Sequence, residues 1–283
     1  MNDRPTALHA AMPAPRDRVG RPLLFVHVPK TAGTSFLTIL HNLFGERRVH
    51  RLDGHNPLVL QEIDHLVSTG LGGLSCIAGH LPVHHFHPYL AQFQLFTLLR
   101  NPVARVLSLF RFLQRASPAE LQPMGLAPNF SFDAFIDSTA PGLYGQTHDG
   151  ICRFLCGDAR VNNPQAPEFT RLAAMPAVLE QAMATLEGLD FGIVEQMAAS
   201  IALLGEAWGV PYPLDEYTKN ATTRGGSEDS LDNIRRIVQR NTLDIALYEK
   251  ATALFARRLA AWRAPVAQPR PGVVFAPPLG ATT

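Results

Sequence analysis

The chain has 283 residues, 46% of them hydrophobic and 17% charged, which excludes a disordered chain, because disorder needs low hydrophobicity and high net charge. Twenty-five lysines and arginines stand against 24 acidic residues, a formal net charge of +1. No overall field therefore draws the protein onto nucleic acid or an anionic membrane, and any anion site has to be built locally.

Residues 1–21 are polar with scattered Pro and Ala, and residues 265–283 carry prolines that preclude a continued helix; both are expected to be flexible around one folded domain, 22–264. Its first element is Leu23–Val28 (LLFVHV), a buried strand. Phe36, Ile39, Leu40, Leu43 and Phe44 then recur at the spacing of an apolar stripe on a helix packed against a sheet. Leu74–Ala78 and Gln94–Leu99 read as two further strands, the latter followed by Pro102, which suits a first helical turn, and by the helical pattern VARVLSLFRFL. Phe191–Val194 is a fourth strand with the helix MAASIALLGEAWG behind it. Two more helices close the domain, one after the N-cap candidate Ser230 and one from about Thr242 to Trp262. Strands alternating with helical crossovers predict an α/β fold with a mainly parallel sheet flanked by helices.

Cys76, Cys152 and Cys156 are too few for a disulfide scaffold and read as thiols of a reducing compartment. No run approaches the roughly 18 apolar residues of a membrane span, and the start lacks the apolar core of a signal peptide. No transmembrane segment and a cytoplasmic setting are the resulting expectations.

The segment FVHVPKTAGTSF places Lys30, Thr31, Ala32, Gly33, Thr34 and Ser35 between the first strand and its helix. In open α/β sheets this is where phosphate binds, because turn amides and the positive end of the helix dipole converge there. Gly33 is expected to supply a positive φ and a close backbone approach. Thr34 and Ser35 can cap the helix or donate hydroxyls, and Lys30 brings a mobile charge. An ordinary capped turn is the plain alternative; lysine, glycine and two hydroxyls together at a first strand end favour phosphate. The nucleotide triphosphatase loop GxxxxGK[ST] has its lysine after the last glycine, whereas Lys30 precedes Gly33, and no carboxylate ends the strands at Leu99 or Ala78 to hold a metal. Both points weigh against a metal-dependent small-molecule kinase.

PKTAGTS after a first strand resembles the 5'-phosphosulfate loop of sulfotransferases that use 3'-phosphoadenylyl sulfate (PAPS), in the form found in carbohydrate sulfotransferases related to the heparan sulfate 2-O enzymes. LLRNPVARVLSLF is similar to the 3'-phosphate motif of that family, which implies that Arg100 and Ser108 hold the ribose 3'-phosphate. GICRFLCG, LDFGIVEQ and NTLDIALYEKA carry weaker similarities, and KNATTRGG, with Lys219, Thr222 and Arg224, matches a family loop loosely. The resemblance implies a P-loop-like domain, PAPS as sulfuryl donor with 3'-phosphoadenosine 5'-phosphate (PAP) as product, no metal, and a carbohydrate or other hydroxyl-bearing acceptor. A nucleotide-binding protein without catalysis stays open beside it.

Sulfuryl transfer to a hydroxyl needs a base, and histidine titrates near the operating pH. His80 in AGHLPVHHFH follows the second predicted strand and should project at the C-terminal sheet edge. The family's Gly-His context matches Gly79-His80 and implies that His80 is the catalytic base, with Lys30 stabilising charge on the leaving phosphate. His84 or His85 as base, and a structural His80, remain alternatives. A metal site among His80, His84, His85 and His87 is disfavoured by Pro82 and Pro88. His148, Cys152 and Cys156 would share a helix face without an evident fourth ligand. Residues 117–150, rich in Pro, Phe and Gly, are the expected acceptor pocket.

Overall fold

The computed structural model describes residues 21–54, 56–172, 175–209 and 227–263. The segments expected to be flexible at the two ends and the loop with Lys219, Thr222 and Arg224 lie outside the described residues, apart from Arg21.

Five strands form one sheet: β1 (Leu23–Val26), β2 (Val49–Leu52), β3 (Cys76–Gly79), β4 (Gln94–Leu99) and β5 (Asp190–Ile193). Their order is β2-β3-β1-β4-β5 and every neighbouring pair is parallel. Central β1, β3 and β4 are buried along their whole length, as expected for strands covered on both faces, which read as unbroken apolar runs. All four predicted strands are present within one or two residues of their expected ends. The sequence reading missed β2, an edge strand whose VHRL exposes Arg51; its polar residues hide the alternation that would mark it.

Helices α1 (Gly33–Phe44), α2 (Val59–Ser68), α3 (Pro102–Leu113), α4 (Pro118–Leu121), α5 (Phe132–Ile136), α6 (Pro141–Thr147), α7 (Gly150–Leu155), α8 (Pro176–Gly188), α9 (Met197–Trp208), α10 (Leu231–Arg240) and α11 (Thr242–Arg263) complete the described chain. Alternate strand residues face opposite sides. Leu23, Phe25, Ala78, Phe96 and Leu98 pack on Phe36 and Leu40 of α1 and on Met197 and Ile201 of α9. Leu24, Val26, Ile77, Leu95 and Ile193 face Ile63 of α2, Val178 of α8 and Leu247 and Phe255 of α11. Among the described residues no helix is long and apolar enough to cross a membrane.

A third cluster joins α3 to the segment expected to form the acceptor pocket: Val106, Phe110 and Leu113 pack with Leu121, Phe130, Phe135, Leu143 and Ile237. A hollow of about 590 Å³ lies in that segment, lined by Gly125, Asp137 and Ser138 among others.

Helices α7 and α11 meet end to end. Oδ1 of Asp149 accepts from the amides of Leu243 (2.9 Å) and Asp244 (3.0 Å) in the first turn of α11. The carboxylate of Asp244 in turn accepts from the amides of Ile151 (2.9 Å) and Cys152 (2.7 Å) in the first turn of α7. Arg105 of α3 lies 3.8 Å from Asp244, both fully buried, and donates to the Gln146 carbonyl at 2.7 Å. This clasp anchors α3. The helix is too short for the metal face considered above: α7 begins after His148 and ends before Cys156. All three cysteines are free and buried.

Candidate active site

In parallel sheets ligands gather at the carboxyl ends of the strands, where the strand order reverses. Here that point lies at β1, whose neighbours β3 and β4 follow it in the chain on opposite sides. The turn after β1 holds Lys30 at φ 69° and Ala32 at φ 61°, both left-handed. Between them the Thr31 hydroxyl, fully buried, donates to the Val28 carbonyl at 2.8 Å; Thr31 therefore shapes the turn with its side chain. The first helical hydrogen bond runs from the Phe36 amide to the Ala32 carbonyl at 3.0 Å. No side chain caps α1 and its first turn carries no acid. Exposed Thr34 and half-buried Ser35 follow Gly33 on that turn, so the amides and partial positive charge of a helix start face the sheet edge.

Gly33 departs from expectation. The left-handed residues of the turn are Lys30 and Ala32, and Gly33 is not among the positive-φ glycines. Its lack of a side chain matters for a different reason: a Cβ there would sit 1.6 Å from Nε2 of His27 and 2.1 Å from Cε1. The imidazole of His27 occupies the space that any other residue at position 33 would need.

His27 is the residue the sequence reading passed over. Two positions after Phe25, it stacks on the Phe25 ring (4.9 Å, 13°) and lies against the His80 ring in a tilted contact (3.9 Å, 32°). It is 7% exposed, and burial, with His80, Arg51 and Lys30 adding positive charge, drives its pKa down to about 2. It is neutral at physiological pH. A single histidine inside the apolar run LLFVHV was the signal available in sequence. His80 itself follows β3, is exposed, and its Nδ1–H donates to the His27 carbonyl at 2.8 Å. A carbonyl can only accept, so Nδ1 carries a proton, and in the neutral ring this tautomer places the lone pair on Nε2.

Arg100 directly follows β4, and its guanidinium donates to the Lys30 carbonyl at 3.2 Å. The Lys30 ammonium rests 4.0 Å from the ring centre of Phe112, a 43% exposed aromatic on α3. Burial first, then Arg100 and Arg115, lowers the lysine pKa. A cavity of about 330 Å³ opens beside Arg100, lined also by Ala104, Leu107, Arg111, Glu195 and Asp229. Ser108 lies one turn beyond Ala104 and is buried. Asn101 caps α3 by accepting from the Ala104 amide at 3.1 Å, and Glu195 accepts from the Asn101 amide at 3.0 Å and from the Tyr248 hydroxyl at 2.8 Å. The turn that carries Arg100 is thereby tied to β5 and α11.

The rings of His84 and His85 meet in a tilted contact at 4.1 Å in the 3₁₀ segment Val83–Gln92. Burial lowers both pKa values, that of His84 to about 4. The ring contact with the turn after β1 belongs to His80. Among the described residues no cluster of three or more His, Cys, Asp or Glu is arranged for a metal.

Residues 20–185 match the Sulfotransferase family. Heparan-sulfate 6-O-sulfotransferase 1 of Homo sapiens is 30% identical over 191 residues, covering 59% of this chain and 44% of its own. The same-named proteins of Cricetulus griseus and Mus musculus are equally similar, with 45% and 44% of their length covered. The chain thus spans less than half the length of these relatives. With the match running over more than half of the chain and through β1, the turn after it and Arg100, the chain belongs to the sulfotransferase family.

Proposed function

We propose that the protein transfers a sulfuryl group from PAPS to a hydroxyl of a carbohydrate acceptor by in-line displacement. The observation that carries this reading is the Arg100 to Lys30 hydrogen bond, which joins two basic segments 70 residues apart at one sheet edge. A donor with phosphates at both ends of its nucleoside needs two such anion sites side by side. The 5'-phosphosulfate fits the uncapped start of α1 with Lys30, Thr34 and Ser35; the 3'-phosphate fits Arg100 and Ser108. PAPS supplies an activated sulfuryl group on a good leaving group.

His80, with its Nδ1 proton fixed on the His27 carbonyl, accepts the acceptor's hydroxyl proton at Nε2 as the oxygen bonds to sulfur. The α1 amides and the Lys30 ammonium stabilise the negative charge that grows on the departing phosphate. Lys30 reaches that position by leaving the Phe112 face, a weak seat worth about 0.5–2 kcal/mol. Most of the acceleration comes from positioning and electrostatics, as in phosphoryl transfer. A carbohydrate acceptor is the reading that the relatives favour, and family membership favours sulfuryl over phosphoryl transfer.

Thermal unfolding with PAP, with ATP and magnesium, and without ligand tests the donor. PAP at 100 times its Kd should add about 2.7 kcal/mol of stability, and ATP with magnesium much less. Transfer from radiolabelled PAPS to a panel of glycans tests the reaction. A shift with ATP and magnesium but none with PAP would overturn the proposal.

A further inference from the structure

We infer that His27 is a positioning residue for sulfuryl transfer: its imidazole is the spacer between Gly33 of the donor turn and the ring of His80, and it sets where the base stands relative to the donor. The inference rests on the reading of His80 as the base, and it deepens it. Three independent contacts support it. The His27 ring lies 3.9 Å from the His80 ring. Its Nε2 and Cε1 fill the space over Gly33, where a Cβ would come within 1.6 and 2.1 Å. Its backbone carbonyl receives the Nδ1 proton of His80 at 2.8 Å.

The ring is held from below by Phe25, which itself stacks on Phe96 at 4.6 Å. A column of rings thus runs from the buried centre of the sheet to the base at its edge. The charged groups facing His27 are His80 from the end of β3, Arg51 from β2 and Lys30 from the turn. All are cationic or become so, and each holds His27 neutral. The proton taken from the acceptor therefore stays on His80, while His27 supplies shape and no charge.

Because Gly33 is not left-handed, alanine is conformationally permitted there, and the only obstacle is the His27 ring. That makes the spacer testable by a double-mutant cycle. His27→Ala should lower kcat about 100-fold through loss of alignment, with the Kd for PAP and the KM for PAPS within about twofold. Unchanged kcat would overturn the positioning role. Gly33→Ala should lower Tm by about 5 °C or more when His27 is present and leave Tm unchanged in the His27→Ala chain, where the vacated space accepts the methyl. Equal losses in both backgrounds would overturn the spacer geometry. The Tm cycle needs no donor, so it still decides the geometry if PAP fails to bind, and a failed cycle leaves donor binding by the wild-type chain as a separate result. The Hε1 proton of His80 gives a further reading by NMR: its ring-current shift should disappear in His27→Ala, and persistence of that shift would refute the stacking.

Discussion

At the start of α1 no side chain caps the helix, its first turn has no acid, and Lys30 and Arg100 converge beside it. At the starts of α7 and α11 two buried carboxylates each fill the first turn of the other helix. Both regions face the same electrostatic fact, a helix start with unsatisfied amides and partial positive charge. The clasp answers it internally, with carboxyl oxygens that belong to the chain and accept from those amides, and the result is a fixed joint under α3. The turn after β1 carries no such side chain, and in the proposed reading an anion brought from outside takes that place. Substitutions at the first should therefore read out in activity and at the second in stability.

The largest effects belong to the open end. His80→Ala should lower kcat about 10²- to 10⁴-fold with PAP affinity kept, if the proposed base acts on the acceptor and not on the donor. Lys30→Ala should lower kcat about 10²- to 10³-fold and also weaken PAP, because in the proposed mechanism the ammonium serves bound donor and developing charge alike. Steady-state kinetics with calorimetric PAP titration separates the two. Full activity in His80→Ala would remove it from the chemistry. On the closed side, Asp244→Ala strips two amides of their acceptor and leaves Arg105, 1% exposed, without its nearby carboxylate. A loss of about 3–5 kcal/mol in urea unfolding is expected, and a loss below about 1 kcal/mol would show that the joint does not depend on reciprocal capping.

Arg100→Ala comes next. Removing a charge-assisted contact worth about 1.5–3 kcal/mol should raise the Kd for PAP about 10- to 100-fold and hardly change that for AMP, which lacks the 3'-phosphate. Equal losses for both nucleotides would refute the 3'-phosphate assignment.

Acid separates the regions again. His27 falls from 6.5 to about 2 on folding, so the unfolded chain binds the proton first; its contribution is complete above pH 6.5 and is lost as pH falls below it, by about 1.4 kcal/mol per unit. Asp149 moves the other way: burial and Asp244 raise it from 3.8 to about 7, so the folded state takes up a proton as pH falls from 7 to 3.8, and stability gains. His148, lowered to about 4 by burial and Arg240, offsets part of that gain. His27→Ala should consequently flatten the loss of stability between pH 6.5 and 5 in urea titrations, and an unchanged slope would contradict a neutral buried His27.

The turn after β1, the helix behind it and the β4 to Arg100 junction were legible because each is local: a buried strand is a continuous apolar run, and lysine, glycine and hydroxyls stand within six residues of one another. What escaped was built by pairs distant in sequence. His27 gains its place from His80, 53 residues away, and Asp149 from Asp244, 95 residues away; no periodicity links them. The positive φ that Gly33 could adopt fell to Lys30 and Ala32, and the glycine answers a side chain that local spacing does not reveal.

The smallest effect tests how the open end is kept open. Ala32 holds the cap position of α1 at φ 61° and ψ 23°, a conformation that costs an L-residue about 1–2 kcal/mol. Glycine removes that strain but raises the entropy of the unfolded chain by about 0.4–1 kcal/mol. Ala32→Gly should therefore stabilise the protein by about 0–1.6 kcal/mol and leave the Kd for PAP unchanged, because it alters neither amides nor charge. Ala32→Asp sharpens the contrast. Aspartate tolerates the left-handed region and places an anion at the helix start, so it should stabilise the unliganded protein by about 0.3–1 kcal/mol while weakening PAP at least tenfold, turning the open end into a copy of the clasp. If Ala32→Asp bound PAP as tightly as the wild type, the start of α1 would not be where the donor's 5' end sits.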